Sequence, residues 1–280
     1  MNIKISSDST CDLPKALLEQ YKIDLIPLIV MKEEQEFLDN VTITPTDIFQ
    51  HVAAGGNLCS TAARSVAIYQ ELFQKYSDSC QGHIHINLGS GFSSSYQNAY
   101  IAAQSFPHVR VVDSRNLSSG QGLMVLKAIE LAKTMDDLDA IVEKLNEYAD
   151  KVETSFVLDR LDYMVKGGRC STVAALGANL LNLKPCIELR DGKMGVGKKY
   201  RGSYEKCLTN YVHERLTGRE DIDRSALILV STQVSDSTLE AVKAEIAAAG
   251  EFGTVYTAIA GCTISCHCGP NTLGVIFARK

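Results

Sequence analysis

Cysteine and histidine side chains are crowded into one short segment near the end of the chain. Residues 261–274 read GCTISCHCGPNTLG. Thiolates and imidazoles are common zinc ligands, and a cysteine near a histidine is also a nucleophile–base combination. The segment therefore raises two kinds of chemistry, a metal centre and thiol catalysis. Its candidate residues are Cys262, Cys266, His267 and Cys268.

A second set of ligands would be needed before this segment could hold zinc. None follows at the spacing of a zinc finger. His83 and His85 alternate along a predicted strand, so they point to the same side of it. A pairing with Cys266 or Cys268 is conceivable, but nothing in the sequence supports it. Such cysteines are more often small buried apolar residues, so we expect no metal.

Hydroxyl side chains are concentrated in three loops at predicted strand-to-helix junctions, residues 59–65, 89–95 and 114–122. In an open α/β sheet, ligands bind outside the carboxyl ends of the strands. Free N–H groups and the dipole at the start of a helix favour an anion there. Each loop alone is better explained as a helix cap, but the three together favour an anion site. The hydroxyls that would bind the anion belong to Ser60, Thr61, Ser93 and Ser94.

The charge of these loops limits what the anion could be. The central loop, residues 89–95, contains no Lys or Arg. A polyphosphate would require more positive charge, whereas a single carboxylate fits a site made of hydroxyls and amides. The segment AALGANLLNL, residues 174–183, is apolar around most of its circumference. It is interpreted either as an ordinary core helix or as a helix that lines an apolar tunnel.

The composition is that of a globular protein with one large domain or two ordinary ones. The 280 residues are 45% hydrophobic and 22% charged, with a formal net charge of −5. There is no basic run and few aromatic residues, so we expect no nucleic-acid partner. The start, MNIKISSDST, lacks the apolar core of a signal peptide, and no apolar run is long enough to span a bilayer. Nine scattered cysteines form no disulfide framework, so we expect a reduced chain in the cytoplasm.

The order of predicted elements gives the fold class. The first half repeats a short apolar strand, a polar loop and an amphipathic helix, which predicts a parallel, Rossmann-like α/β sheet. The second half contains a hairpin with Asp191-Gly192 at its turn and predicts a smaller α+β domain. We place the domains at residues 1–150 and 151–280, with the reservation that the last strand could cross back.

Capping residues predict where individual helices begin. Asp12 and Thr44 are each predicted as N-caps, and Ser60 or Thr61 is predicted to start a further helix. Residues 23–30, IDLIPLIV, are predicted as one strand.

Two familiar motifs are excluded. GKMGVGKK matches the letters of a phosphate-binding loop from Gly192 to Lys198, but Lys199 stands where a Ser or Thr must hold magnesium. The stretch instead looks like part of a hairpin. GSGFSSSYQ contains no G-x-S-x-G nucleophile elbow, so a serine hydrolase triad has no local support.

Five segments, in order along the chain, carry a resemblance to a known family. They read SSDSTCDLP, GSGFSSSYQNA, VVDSRNLSSGQGLMVLKAIELA, LDYMVKGGRCSTVAALGANLLNLKPCIELRDGK and HCGPNTLGVIF. They resemble the signatures of the DegV family, the bacterial fatty-acid-binding proteins. The first hydroxyl loop departs from the family's usual T-S-Q-P-S, since residues 60–64 here read STAAR.

The resemblance implies an α/β N-terminal domain, a smaller α+β C-terminal domain and a ligand between them. The ligand would be a long-chain fatty acid of the palmitate or stearate class, with its tail in a buried tunnel. Its carboxylate would meet the serine and threonine loops. The head-group ligands would then be Ser60, Thr61 and Ser93, with Ser94 beside them.

The resemblance also implies a carrier subunit and not an enzyme. The protein would present the fatty acid carboxylate to the catalytic subunit of a separate fatty acid kinase, which makes an acyl phosphate for phospholipid synthesis. Arg169 and His267 would lie near the ligand exit. No cofactor is implied, and transient contact with a membrane stays open as a further interaction.

Two other functions remain as alternatives at this point. One is an acyl hydrolase or transferase that uses Ser93 as nucleophile and His267 as base. The other is a metal- or redox-sensing module built on Cys262, Cys266 and Cys268.

Overall fold

The computed structural model describes residues 2–174 and 183–280, which form three β-sheets with helices packed around them. In chain order the strands are β1 (Ile3–Asp8), β2 (Asp24–Ile26), β3 (Ile29–Lys32), β4 (Gln35–Leu38), β5 (Ser60–Ala62), β6 (Gly82–Asn87), β7 (Val109–Asp113), β8 (Val152–Val157), β9 (Leu183–Arg190), β10 (Lys193–Arg201), β11 (Ile222–Ser231), β12 (Thr254–Ile259) and β13 (Leu273–Arg279). The α-helices are α1 (Lys15–Gln20), α2 (Pro45–Ala53), α3 (Val66–Tyr76), α4 (Ser95–Ala103), α5 (Ser119–Ala132), α6 (Leu138–Ala149), α7 (Asp162–Gly167), α8 (Ser171–Ala174), α9 (Tyr204–Leu216), α10 (Asp236–Ala248) and α11 (Cys262–Cys268).

The first half of the chain builds a four-stranded parallel sheet in the order β2-β1-β6-β7. The side chains along its strands point alternately into two apolar layers, one on each face of the sheet. Ile84 and Ile86 face the core that α5 and α6 cover, whereas Phe73 and Ala99 belong to the core under α3 and α4. Helices on both faces of a parallel sheet confirm the predicted α/β class for this half.

The second half builds a six-stranded mixed sheet in the order β10-β9-β8-β13-β11-β12. Helices α9 and α10 cover one face, where Tyr211 and Val242 are buried. Phe156 and Ile276 on the other face share the core around α5, so the two halves meet through apolar contacts. The last strand, β13, lies between β8 and β11 and stays in this sheet. The predicted α+β character is confirmed, while the boundary near residue 150 stays a prediction.

A small antiparallel sheet, β4-β3-β5, was not expected, and it corrects two predictions. The predicted single strand at residues 23–30 is divided into β2 and β3 at Pro27, which cannot donate to a ladder. The helix predicted from Ser60 or Thr61 is also wrong. Thr61 pairs with Val30 across the sheet, and α3 begins only after Ser65.

Among the local predictions, an N-cap and a hairpin turn are confirmed, and a second N-cap is wrong. The N-cap at Thr44 is confirmed with a complete capping box to Asp47. The hairpin turn is confirmed, since Asp191 and Gly192 have φ of 50° and 69°. Asp12 is not an N-cap, because its φ is 41° and α1 begins later, after Pro14.

Two further predictions concern helices. The apolar helix predicted over residues 174–183 lies outside the described residues except at its ends, where α8 finishes and β9 begins. Within residues 2–174 and 183–280, no helix is long and apolar enough to cross a membrane.

Candidate ligand-binding site

A cavity of about 300 Å³ lies where the carboxyl ends of the parallel strands meet β5, α7 and α11. Leu88 follows β6 and Leu117 follows β7, so the cavity occupies the sheet edge at which α/β proteins bind ligands. Its walls are mostly aliphatic and aromatic. The apolar side chains are Leu28, Leu88, Phe92, Leu117, Phe156, Met164, Met194 and Ile264.

One side of the cavity is polar, and its central contact joins distant parts of the chain. Thr61 Oγ1 lies 2.9 Å from Nε2 of His267. Burial, together with the nearby charge of Arg169, lowers the pKa of His267 to about 4. His267 is therefore neutral at pH 7, and its Nδ1 is buried with no hydrogen-bond partner among the described residues.

The position of His267 depends on the glycine pair at the end of α7. A Cβ on Gly167 would lie 2.2 Å from Nδ1 of His267, so only glycine permits this approach. Gly168 has a φ of 68° and ends the helix in the left-handed conformation that glycine favours. This explains the Gly-Gly-Arg sequence in physical terms, because both glycines are needed to bring α7 against α11.

Arg169, the next residue, joins two segments on the polar side of the cavity. Its Nη1 donates to the carbonyl of Gly167 at 2.7 Å, and its Nε donates to the carbonyl of Phe92 at 3.4 Å. The guanidinium therefore lies between the loop before α4 and the imidazole of His267. It supplies a permanent positive charge beside hydroxyl groups.

Ser93 and Ser94 line the cavity at the start of α4. Ser93 Oγ accepts a hydrogen bond from the backbone N–H of Ser95 at 3.1 Å, and Ser94 is the N-cap residue. The capping role that the sequence suggested for this loop is therefore present. Ser93 also lines the cavity, so its contact with the start of α4 is compatible with the predicted anion site, which stays a prediction.

The structure brings five of the six predicted site residues to this cavity. Thr61, Ser93, Ser94, Arg169 and His267 all line it. The sixth, Ser60, is exposed on β5 and is not among the described lining residues. Whether these five bind a ligand stays a prediction.

Two buried aspartates hold the start of α11: Asp12, which was predicted as a helix N-cap, and Asp39, for which no role was predicted. Asp12 accepts hydrogen bonds from Ser118 Oγ at 2.6 Å and from the N–H of Gly261 at 2.8 Å. Asp39 accepts from the N–H of Cys262 at 2.8 Å. Burial raises the pKa of Asp12 to about 8. These two carboxyl groups fix the helix that carries His267, and only the long-range contacts reveal that role.

The third hydroxyl loop supplies no polar group to the cavity. Ser118 Oγ is used by Asp12, and Ser114 Oγ donates to the carbonyl of Asn116 at 3.0 Å. Leu117 is the residue of this loop that reaches the cavity. The loop therefore contributes an apolar wall and supports α11, instead of binding an anion.

Comparison with known proteins identifies the family. A family model described as "Uncharacterised protein, DegV family" matches residues 2–280. This chain belongs to the DegV family. A DegV domain-containing protein of Clostridium perfringens is 29% identical over 282 residues, which is 99% of each chain.

Solved structures of DegV proteins share this fold. A fatty-acid-binding DegV family protein from Thermus thermophilus is 28% identical with a TM-score of 0.88, covering 100% of both chains. A DegV lipid-binding protein from Thermotoga maritima is 26% identical with a TM-score of 0.84, again over 100% of both chains.

The cysteines and histidines that were considered as metal ligands do not form one cluster within the described residues of this DegV protein. Within the described residues, no group of three or more His, Cys, Asp or Glu side chains could hold a metal ion. His83 and His85 are buried on β6, where both contact Ser6 Oγ, at 2.7 and 2.8 Å. Cys268 instead lines the cavity, and burial raises its pKa to about 12.

The contacts of Ser93 and His267 bear on the hydrolase alternative. Ser93 Oγ lies 2.9 Å from Ser95 Oγ, and His267 contacts Thr61. A nucleophile–base pair requires a hydrogen bond between the serine and the imidazole, with a third group orienting the base. The hydrogen bonds of the described residues do not join Ser93 to His267 and place no carboxylate on His267 Nδ1.

Proposed function

We propose that this DegV protein binds one long-chain fatty acid in the cavity and presents its carboxylate to a separate kinase. The observation that carries the proposal is the division of the cavity wall. Thr61, Ser93, Ser94, Arg169 and His267 form the polar side, Thr263 adds one further hydroxyl, and the other described lining residues are apolar. An amphipathic ligand with one anionic end matches that division.

The polar side meets the physical needs of a carboxylate. An anion that leaves water loses much free energy unless hydrogen bonds and positive charge replace the solvent. Arg169 supplies the charge, and the hydroxyls of Thr61 and Ser93 supply hydrogen bonds. Since His267 is neutral, Arg169 is the one positively charged side chain among the described lining residues, which suits a single carboxylate better than a polyphosphate.

The apolar wall provides the larger part of the binding free energy. Burial of each methylene contributes roughly 0.8 kcal/mol, so a tail of about 15 carbons supplies about 10 kcal/mol before ordering costs. A second void of about 20 Å³ lies beside the cavity and shares Leu117, Phe156 and Ile264 with it. It lies towards Val230 and Ile276 of the six-stranded sheet and has room for about one water molecule, so it marks a direction for the tail but does not hold it.

The relatives support the same ligand class. The proteins from Thermus thermophilus and Thermotoga maritima are described as fatty-acid-binding and lipid-binding, and each matches this chain over its whole length. The proposal therefore assigns the same ligand class to this chain, whose cavity has both a polar side and an apolar wall.

The exposure of the polar side supports the kinase step of the proposal. Arg169 and its neighbour Gly168 are exposed, so the head-group end lies near solvent. A kinase that docks there would transfer the γ-phosphoryl group of ATP to a carboxylate oxygen, which yields an acyl phosphate and ADP. The DegV protein itself then acts as a carrier subunit without catalysis or cofactor.

Two titrations test the ligand. Delipidated protein is titrated with palmitate and with hexadecanol, which has the same chain length and no carboxylate. We expect palmitate to bind at least about tenfold more tightly, since a charged hydrogen-bonding partner contributes about 1.5–3 kcal/mol. Equal affinities would contradict the head-group site, and absence of binding to either would contradict the carrier function.

The kinase step has its own assay. The palmitate-loaded protein is mixed with the catalytic subunit of a bacterial fatty acid kinase, ATP and hydroxylamine, which traps an acyl phosphate as a hydroxamate. Hydroxamate should form only when all components are present. Hydroxamate formation without the kinase, or hydrolysis of an acyl ester by the protein alone, would favour the enzyme alternative instead.

A further inference from the structure

The tip of the β9–β10 hairpin, residues 189–197, reaches from the six-stranded sheet to the loop before α4. A Cβ on Gly91 would lie 2.7 Å from the carbonyl oxygen of Gly192, so the two backbones meet with no side chain between them. Gly91 comes two residues before Ser93, and Met194 of the tip lines the cavity. The hairpin tip therefore forms part of the cavity wall and ends against the serine loop.

The hairpin tip extends beyond the sheet that holds its base. Strand β8 pairs with β9 only as far as Glu188, and among the described residues no other strand pairs with the tip. On the outer edge of the tip, the backbone N–H of Val196 donates to Thr172 Oγ1 of α8 at 3.2 Å. This is the one hydrogen bond that joins the tip to another element within residues 2–174 and 183–280.

Empty space borders the hairpin tip. A polar cavity of about 430 Å³ is lined by Asp191 and Gly192 at the turn, and another of about 270 Å³ is lined by residues 193–197. None of residues 188–199 is fully buried. Segments with few buried contacts open locally at a lower free-energy cost than the core does. The surroundings of the tip therefore leave it room to move.

The pairing of β10 with β9 is irregular at the base of the hairpin tip. Val196 pairs with Ile187. The next pair is Lys199 with Pro185, so β10 has one residue more than β9 between these two pairs. Such a β-bulge interrupts the ladder of hydrogen bonds and bends the strand. Gly197 lies in the bulge, and glycine accepts changed backbone angles at little steric cost, so this position can act as a hinge.

We propose that the hairpin tip is a lid, which turns about the bulge at Gly197 and closes the cavity where Gly192 meets Gly91. A ligand then enters or leaves past this wall only while the lid is open. The close glycine contact and the hydrogen bond to Thr172 both stabilise the closed position. The gating of ligand exchange rests on the proposed fatty acid function, whereas the movement of the lid does not.

Two substitutions loosen the closed lid at separate contacts. Gly91→Ala places a Cβ within 2.7 Å of the Gly192 carbonyl oxygen, so the tip must move away. Thr172→Val removes the hydroxyl that accepts from Val196 and keeps the shape of the side chain, and Thr172 is not among the described lining residues. Thr209→Val on α9 is the matched control. Circular dichroism verifies that each variant folds.

Labelling of Cys268 measures the opening in ligand-free protein. Its buried thiol lines the cavity, whereas Cys262 belongs to a separate apolar cluster. Delipidated protein is treated with N-ethylmaleimide, and the label is located by tryptic digestion and peptide fragmentation. We expect Cys268 to react about tenfold faster in Gly91→Ala and about fivefold faster in Thr172→Val, with Cys262 unchanged in both. Unchanged labelling of Cys268 in both variants would overturn the lid.

Exchange rates of palmitate, measured by stopped flow, test the gate. A lid that opens more often speeds association and dissociation together, so both rates should rise by the same factors as the labelling and stay unchanged in Thr209→Val. Faster dissociation with unchanged association would overturn the gate, because it indicates a damaged cavity. Faster labelling in variants of a protein that binds no palmitate would contradict the carrier function and leave the lid in place.

Discussion

Thr61 Oγ1 and His267 Nε2 lie 2.9 Å apart although 206 positions separate them in the sequence. The contact joins β5 of the small sheet to α11, which two buried aspartates hold in place. It therefore connects the N-terminal and C-terminal halves of the chain at the polar side of the cavity.

Thr61→Val should weaken palmitate binding while leaving the fold intact. Valine keeps the shape of threonine and its suitability for a strand but removes the hydroxyl. The loss of one hydrogen bond at the head group corresponds to about 1 kcal/mol, or about fivefold in affinity. Titration calorimetry measures the affinity, and Thr209→Val on α9, remote from the cavity, is the control. Equal affinity in both variants would contradict a role for Thr61.

Gly167→Ala should destabilise the protein and disturb the cavity. The new Cβ would lie 2.2 Å from Nδ1 of His267, so either α7 or the imidazole must move. We expect the free energy of unfolding to fall by about 1–3 kcal/mol. Gly195→Ala on β10 is the matched control, because nothing lies within 4 Å of its Cβ position. Urea denaturation compares the two, and similar curves would show that the close approach is unimportant.

Asp12→Asn should change how stability depends on pH. Burial raises the pKa of Asp12 from 3.8 to about 8, so between these values the folded state holds a proton that the unfolded state has lost. In this range the contribution of Asp12 to the free energy of unfolding falls by roughly 1.4 kcal/mol for each unit by which the pH rises. Asparagine removes the dependence and tolerates the φ of 41°.

The comparison of the wild type with Asp12→Asn is made by urea denaturation at about pH 5 and about pH 7.5. The variant should gain about 3 kcal/mol relative to the wild type over that interval. Other titrating groups are the same in both proteins and cancel in the difference. A difference that does not change with pH would mean that Asp12 is ionised in the folded protein throughout.

His267 should report ligand binding through its own protonation. In the ligand-free protein its pKa is about 4, below the ordinary 6.5, because of burial and the charge of Arg169. The stability that this group contributes is therefore complete above about pH 6.5 and is lost as the pH falls towards 4. A bound carboxylate beside the imidazole should raise the pKa towards its ordinary value.

An NMR titration of the imidazole signals checks this, with His267→Gln to assign them. The pKa should rise when palmitate is added and stay near 4 when hexadecanol is added. A rise with both ligands, or with neither, would place the carboxylate away from His267.

Features set by a few adjacent residues were predictable from the sequence. The capping box at Thr44 and the hairpin turn at Asp191-Gly192 depend on side chains at most three positions apart. The parallel sheet was predictable because alternating strands and helices have few ways to pack. Segments that resemble a known family also located Arg169 and His267.

Features set by distant partners were not predictable. Thr61 lies in a strand because Val30 pairs with it, and in that strand Thr61 lines the cavity whereas Ser60 does not. Asp12 looked like a local helix cap, yet its hydrogen bond goes to Gly261, 249 positions away. A single sequence contains no direct signal for either contact.

The most direct test of the account is native mass spectrometry of the purified protein, followed by mass analysis of its organic extract. The account predicts one fatty acid per chain, released on denaturation and restored when palmitate is added to delipidated protein. A ligand-free mass that stays unchanged after palmitate is added would contradict the central claim that the cavity binds a fatty acid.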